Sequence, residues 1–311
     1  MKRKVLLFGA SGEIGGRIAR LAIDAGHSVI GVTRGVNTMA TADLNGVEMI
    51  QGDKNDPQFI GERAAKLDYD VVIDTVPSAQ NVEVYRKYLD KAQNVFFCGS
   101  TGTYVPLRYF PADEEHPWRE NTGLNFHSQS VRDALALDCF KSSGFPVSIF
   151  RPTNIIGPGR VPLELWGGRN IVFYRKLKTH EPVWVPPCEE ILIQSGYNWD
   201  LASAFVLALD HPDRVRGEIF NISTKRAITL GAYLKTAMDF LGSRSPIQHA
   251  DKQELCERYL GATSKGQLDF LTLHMSLDIA KAERVLGYRP SRTTQEGLIE
   301  ALTWCREAGL L

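Results

Sequence analysis

No apolar run among the 311 residues approaches the roughly 20 that a membrane helix needs, which excludes a helical membrane span. Charge of one sign is not in excess: 36 Lys plus Arg balance 36 Asp plus Glu, so no overall basic field advertises a nucleic-acid partner. Cysteine is sparse. Cys98, Cys139, Cys188, Cys256 and Cys305 are scattered without paired spacing, which argues against a disulfide framework and a cysteine-built metal site. The start, MKRKVLLFGASG, has positive residues before an apolar stretch, but that stretch is short and runs into glycines, so it reads as a core strand and not a signal peptide. Internal repeats and low-complexity segments are absent as well. A reduced, cytoplasmic, metal-free protein is expected.

What is present begins at residue 4, in KVLLFGASGEIGGRIARLAIDAGHSVIGVTR. The apolar run 4–8 reads as a buried parallel strand, 13–25 has the apolar spacing of a helix, Gly26 stops it, and 28–33 reads as a second strand. Gly9, Gly12 and Gly15 fall in and just after the turn between the first strand and the helix. Such a turn must be tight and must let the backbone and the helix N-terminus approach a pyrophosphate, so a dinucleotide site is expected on Gly9, Ser11, Gly12, Glu13, Ile14 and Gly15. Strand candidates recur at 48–51, 71–75, 94–98, 147–151 and 218–222 with helical stretches between most of them. This alternation predicts an α/β fold, a doubly wound parallel sheet covered on both faces. From Pro152 to Pro187, and again from about Lys225 to His274, the texture is irregular. The expected division is a Rossmann-type domain over 1–152 plus about 193–224, and a small substrate lobe over about 153–192 and 225–311.

The end of the second strand discriminates between cofactors, because an acidic residue there would hold a ribose 2′-hydroxyl and repel a 2′-phosphate. The residues present are Thr33 and Arg34. A guanidinium pairs with phosphate and stacks on adenine, which favours NADP over NAD. Asp53, in QGDKND, is a candidate acceptor for the adenine amino group, or else a loop or cap residue.

GASGEIGG, VVIDTVP at 71–77, CGSTGTY at 98–104, RPTNIIGPG at 151–159, YNWDLASAF at 197–205, GEIFNIS at 217–223 and LDIAKAERVLGYRP at 277–290 together resemble the extended short-chain dehydrogenase/reductases, the sugar-nucleotide epimerase and dehydratase group. The resemblance implies a Rossmann domain with a C-terminal substrate lobe and a nucleotide-sugar substrate. It also implies cofactor contacts at Thr75, Val76, Pro77 and Pro152, a substrate-bonding hydroxyl at Ser100 with Thr101 beside it, and a substrate contact at Asn154. Arg160, Arg169 and Arg175 are further substrate candidates; the strip holding Arg169 and Arg175 beside Phe173 and Tyr174 reads either as a diphosphate clasp or as an amphipathic helix with a solvated basic face.

The family's tyrosine, with a lysine four residues later on a helix, is missing. The helix expected over 125–141 offers Ser128 with Arg132, or Gln129 with Asp133, in their place. Guanidinium does not deprotonate and serine has no useful acidity near neutral pH, so ordinary tyrosine-driven hydride chemistry is in doubt. Tyr104, His127 and Arg132 remain as unusual catalytic candidates beside Ser100, while His116 reads as a loop residue. The literal pair Tyr174 and Lys178 lies in the expected lobe and reads as coincidence. The leading expectation is an NAD(P)-dependent epimerase, dehydratase or reductase acting on a nucleotide sugar or similar polyol. Against it stands a non-catalytic alternative, because GVTRG, STGTY and IFNIS also resemble chloroplast stem-loop RNA-binding members of the superfamily. A homodimer formed through helices near 81–93 and 125–141 is a further expectation from the resemblance.

Overall fold

The computed structural model describes residues 2–35 and 42–311. Seven parallel strands form the main sheet: β1 (Lys4–Phe8), β2 (Ser28–Thr33), β3 (Glu48–Gln51), β4 (Val71–Asp74), β5 (Asn94–Cys98), β6 (Val147–Pro152) and β7 (Ile219–Ile222). Their spatial order is β7-β6-β5-β4-β1-β2-β3. Phe8, at the end of β1, lies beside Val32 on one side and Asp74 on the other. Strand order therefore reverses between β1 and β4, and a crevice opens beyond the strand ends at that point, where open α/β sheets bind ligands.

Both faces of the sheet are covered, which explains why its central strands are apolar throughout instead of alternating. Helix α1 (Glu13–Asp24) buries Ile14, Ile18, Ala19 and Ala22 on one face, beside Leu201, Ala204 and Phe205 from a later helix, Asn198–Ala208. On the other face lie the short α2 (Pro57–Glu62), α3 (Ala79–Tyr88) and α4 (His127–Ser143), contributing Phe59, Tyr85 and Leu137 to a second core. Each fully buried side chain of this size contributes about 1.5–3 kcal/mol.

A separate apolar cluster around Trp166, Phe173, Tyr174, Leu177 and Tyr233 organises the lobe, which closes against the C-terminal helix Thr294–Glu307. Ile279, Ala282, Leu286 and Tyr288, assigned to the lobe on chain order, join the core under the main sheet. Helix Ala280–Leu286 buries Ala282 and Leu286, four apart on one face, and leaves a basic and acidic outer face. Chain order alone does not say which of two neighbouring cores such a stripe will cover.

Candidate functional site

The glycine turn is built as tightly as a dinucleotide requires. Gly9 has φ +84°, and a Cβ there would stand 2.3 Å from Thr75 Oγ1. At Gly15, buried where α1 meets the turn, a Cβ would stand 2.1 Å from the Gly9 carbonyl oxygen. Gly12 caps α1 without a side chain, so the first amides of the helix face the crevice. A cavity of about 580 Å³ lies there, lined by Gly9, Ser11 and Gly12 at the turn, by Thr33, Arg34 and Asp53 at the ends of β2 and β3, and by Thr75 and Val76 beyond β4. These features suit a pyrophosphate on the turn and an adenosine toward Arg34.

Other candidate cofactor residues support the cavity without lining it. Ile14 and Gly15 are buried, and Pro77 and Pro152 use their carbonyls to accept from Arg132 Nη1 (3.2 Å) and Thr101 Oγ1 (3.3 Å). Thr33 Oγ1 lies 3.2 Å from Ser11 Oγ, linking the turn to the end of β2. The exposed Arg34 guanidinium has no acidic partner among the described residues, and its carbonyl accepts from Gln51 Nε2 at 3.3 Å. Asp53 lines the cavity and its Oδ1 accepts from the Asn55 amide at 2.9 Å.

Lys54 was not singled out from sequence, although it follows Asp53 directly. Its Nζ donates to Asp74 Oδ2 (3.0 Å), Asn81 Oδ1 (2.7 Å) and the Val76 carbonyl. Asp74, fully buried, also accepts from the Tyr85 hydroxyl at 2.8 Å and from the Val76 amide at 2.9 Å. Burial, reinforced by Asp74, pushes the Tyr85 phenol well above its usual value, so it stays a donor. This network fixes the segment after β4 that forms one wall of the cavity.

A second cavity, about 340 Å³, lies toward the lobe. Ser100, Thr101, Asn154, Arg160 and Arg169 line it, so the structure brings these five sequence candidates together. Ser100 Oγ accepts from the Gly102 amide at 3.1 Å, which leaves its own proton for a ligand. Asn154 Nδ2 donates to Ser195 Oγ (2.8 Å), and its Oδ1 accepts from Arg169 Nη2 (2.9 Å). Arg160 Nη1 reaches across from the lobe to Glu13 Oε2 at 2.9 Å. Arg175 lies elsewhere: it is exposed, and its Nε donates to the Leu310 carbonyl at 2.8 Å. Its helix, Ile171–Lys178, buries Phe173, Tyr174 and Leu177, which selects the amphipathic-helix reading of the strip over the clasp. Tyr174 is buried in the lobe core and donates to the Leu163 carbonyl, whereas Lys178 is exposed.

The remaining catalytic candidates occupy different surroundings. Ser128 is exposed on the first turn of α4. Arg132 is buried and donates from Nε (2.9 Å) and Nη2 to Asp133 Oδ1, while Asp133 Oδ2 accepts from Arg151 Nε (3.1 Å) and Nη2 (2.9 Å). The Arg151 guanidinium lies over the rings of Tyr104 and Trp118. Tyr104 lines neither cavity; its hydroxyl donates to Asn221 Oδ1 at 2.9 Å, and burial pushes its pKa up to about 12 despite Arg151. His127 is half-buried at the start of α4, next to Phe126, which lines the second cavity; its Nδ1 is buried with no protein partner. His116 is buried and accepts from the Arg108 amide through Nε2 (2.8 Å), a loop-holding role.

A match to the model of the NAD dependent epimerase/dehydratase family runs over residues 5–223. The chain belongs to that family. Its relatives include the Arabidopsis thaliana chloroplast stem-loop binding protein of 41 kDa b, 27% identical over 96% of this chain and 78% of that protein. Among solved structures, the UDP-glucose 4-epimerase of Thermotoga maritima superposes with a TM-score of 0.77 at 18% identity, covering 98% of this chain and 99% of the other. A Bordetella bronchiseptica enzyme in complex with NAD reaches 0.76 at 15% identity, covering 100% and 96%. Those two likenesses establish the Rossmann-type fold.

The loop carrying Arg169 depends on another carboxylate. Glu164 is fully buried and accepts from the amides of Gly168 (2.9 Å), Asn170 (3.5 Å) and Trp166. Burial, only partly offset by those amides, pushes its pKa up to about 7. The folded protein thus keeps a proton that the unfolded chain releases near 4.5. Stability is expected to fall as pH rises from about 4.5 to about 7 and to level off above that. In Glu164→Gln, urea denaturation at pH 5 and pH 8 should show that slope diminished, with a loss of about 1–3 kcal/mol because the amide NH2 meets backbone N–H groups.

Proposed function

We propose that the protein is an NADP-binding enzyme of this family that holds a small organic substrate beside Ser100 and works without a tyrosine–lysine pair. The observation that carries the reading is the pairing of the two cavities. One opens over the glycine turn and Thr75, after β4; the other opens at Ser100, after the adjacent strand β5. A nicotinamide held there would supply or accept a hydride, and Ser100 is placed to donate its hydroxyl proton to the substrate oxygen on which charge develops. Arg132 and Tyr104 act as supports in this reading. Arg132 holds the Pro77 carbonyl, and Tyr104 sits under Arg151. His127, half-buried at the start of α4 with its Nδ1 free of any protein partner, is the remaining candidate for proton transfer.

The Thermotoga maritima neighbour, whose structure contains UDP-glucose, raises a nucleotide sugar or similar polyol as one substrate class for the second cavity. NADP is favoured by Arg34 and by the absence of an acid at the end of β2. A cytoplasmic homodimer through α3 and α4 fits the exposed Val131 on α4.

Fluorescence titration with NADPH and NADH tests the cofactor reading. NADPH should bind more tightly, and Arg34→Asp should weaken it roughly 10–100-fold, about 1.4–2.7 kcal/mol, with little change for NADH. Equal affinities in the unaltered protein would refute the NADP assignment. The second reading, RNA binding without turnover, draws on the name of the 27% identical relative. A salt-dependent gel shift with a structured RNA that NADPH leaves unchanged would favour it.

A further inference from the structure

The second cavity is chemically lopsided. Much of its wall is apolar, formed by Leu163, Ile193, Leu230, Leu273 and Met275 among others. At its rim, Phe126 and Phe270 stack with centroids 5.0 Å apart and planes 9° from parallel. At about 340 Å³ it sits near the lower end of the ~300–1,000 Å³ typical of small-molecule sites. Little of that wall can hydrogen-bond the hydroxyls of a sugar, and burying them there unpaired is costly.

The polar end has one charge to offer. Arg169 Nη1 donates to the Val161 carbonyl (3.0 Å), and Nη2 donates to the Ile155 carbonyl (2.7 Å) and Asn154 Oδ1 (2.9 Å). All three acceptors are neutral, and no carboxylate among the described residues pairs with it. Burial draws its pKa down, with Arg160 adding to the effect and the nearby Glu13 carboxylate opposing it. Its Nε and the second hydrogen on Nη1 donate to no described protein atom. A half-buried guanidinium with no carboxylate in hydrogen-bond contact is a ready partner for the anionic group of a ligand. Arg160, by contrast, is already neutralised by Glu13. A diphosphate would have to draw Arg160 off Glu13 and leave that carboxylate beside it.

Resting on the reading of Ser100 as the reacting end, we propose that the natural substrate is a monocarboxylate with an apolar body and an alcohol or carbonyl group. Its carboxylate pairs with Arg169, its body lies on the leucine and methionine wall, and its oxygen meets Ser100. The two aromatic rings at the rim cover the body once it is seated.

Isothermal titration of the NADP-loaded protein tests this with phenylpyruvate, 4-phenyl-2-oxobutyrate and cinnamate. The methyl ester of cinnamate and UDP-glucose are the contrasting probes. At least one carboxylate should bind, methyl cinnamate should bind at least about 10-fold more weakly than cinnamate, and UDP-glucose should not compete. Met275→Trp and Leu273→Trp, which fill the wall without touching Arg169, should each weaken the carboxylates about 10-fold or more and leave NADPH affinity unchanged. Tighter binding of UDP-glucose, an ester that binds as well as its acid, or no binding by any of the three carboxylates would each overturn the proposal. Loss of NADPH binding itself would instead strike the cofactor reading.

Discussion

Gly15→Ala is expected to reduce dinucleotide affinity by roughly 100-fold, about 2.7 kcal/mol, while the chain remains folded. The added Cβ would stand 2.1 Å from the Gly9 carbonyl oxygen, 2.8 Å from the Gly9 carbonyl carbon and 3.3 Å from Ala10 Cα. All three are backbone atoms, so no side chain can rotate away. The turn and α1 must separate, and with them the helix amides from the site of the pyrophosphate. The overpacking itself costs about 1–3 kcal/mol of stability, which a domain of this size survives at room temperature. NADPH titration with a parallel thermal melt measures both effects. Gly266→Ala is the control. It lies in helix Lys265–Leu271 with nothing within 4 Å of an added Cβ, so binding should be unchanged and stability unchanged or slightly raised, by up to about 1 kcal/mol. An unchanged NADPH affinity in Gly15→Ala would mean that the cofactor does not lie on this turn.

That turn was legible in the sequence because strand, glycines and helix are contiguous, and each imposes a local pattern. The same holds for the positions of β1 to β6 within a residue or so. Arg34 was legible because the end of a strand is set by the strand. The second cavity was legible only in part. Ser100 and Asn154 sit at strand ends, but Leu230, Phe270 and Met275 reach the cavity from segments more than seventy residues later than Asn154, and their apolar character is shared with dozens of core positions. The Lys54 to Asp74 bridge joins residues twenty apart across two strand ends and gives no periodic signal. Arg132 shows the same difficulty from the other side. Counting back from β6 offered Ser128 with Arg132, or Gln129 with Asp133, yet only the fold reveals that Asp133 turns inward with Arg132 and meets Arg151 from β6.

Asp133→Ala is expected to destabilise the protein by about 3–5 kcal/mol, because it leaves two buried guanidinium groups without a carboxylate. Asp133 is fully buried, and each of its oxygens serves one arginine. Arg151 has no other ion-pair partner among the described residues, and its Nη1 already lacks a hydrogen-bond acceptor. Urea denaturation measures the loss; a change below about 1 kcal/mol would show that water reaches and solvates the arginines. The triple change Arg132→Met, Asp133→Leu and Arg151→Met, which removes all three charges at once, should be much closer to neutral in stability. It should nonetheless weaken NADPH binding, since Arg132 Nη1 also holds the Pro77 carbonyl, at the segment that borders the cofactor cavity. The same geometry predicts that Arg132→Lys does not restore a family-like proton relay. A lysine has one nitrogen where the guanidinium uses three: two on Asp133 and one on Pro77. The ion-pair cluster thus ties Arg132 on α4, through Asp133, to Arg151 and the stability of the sheet.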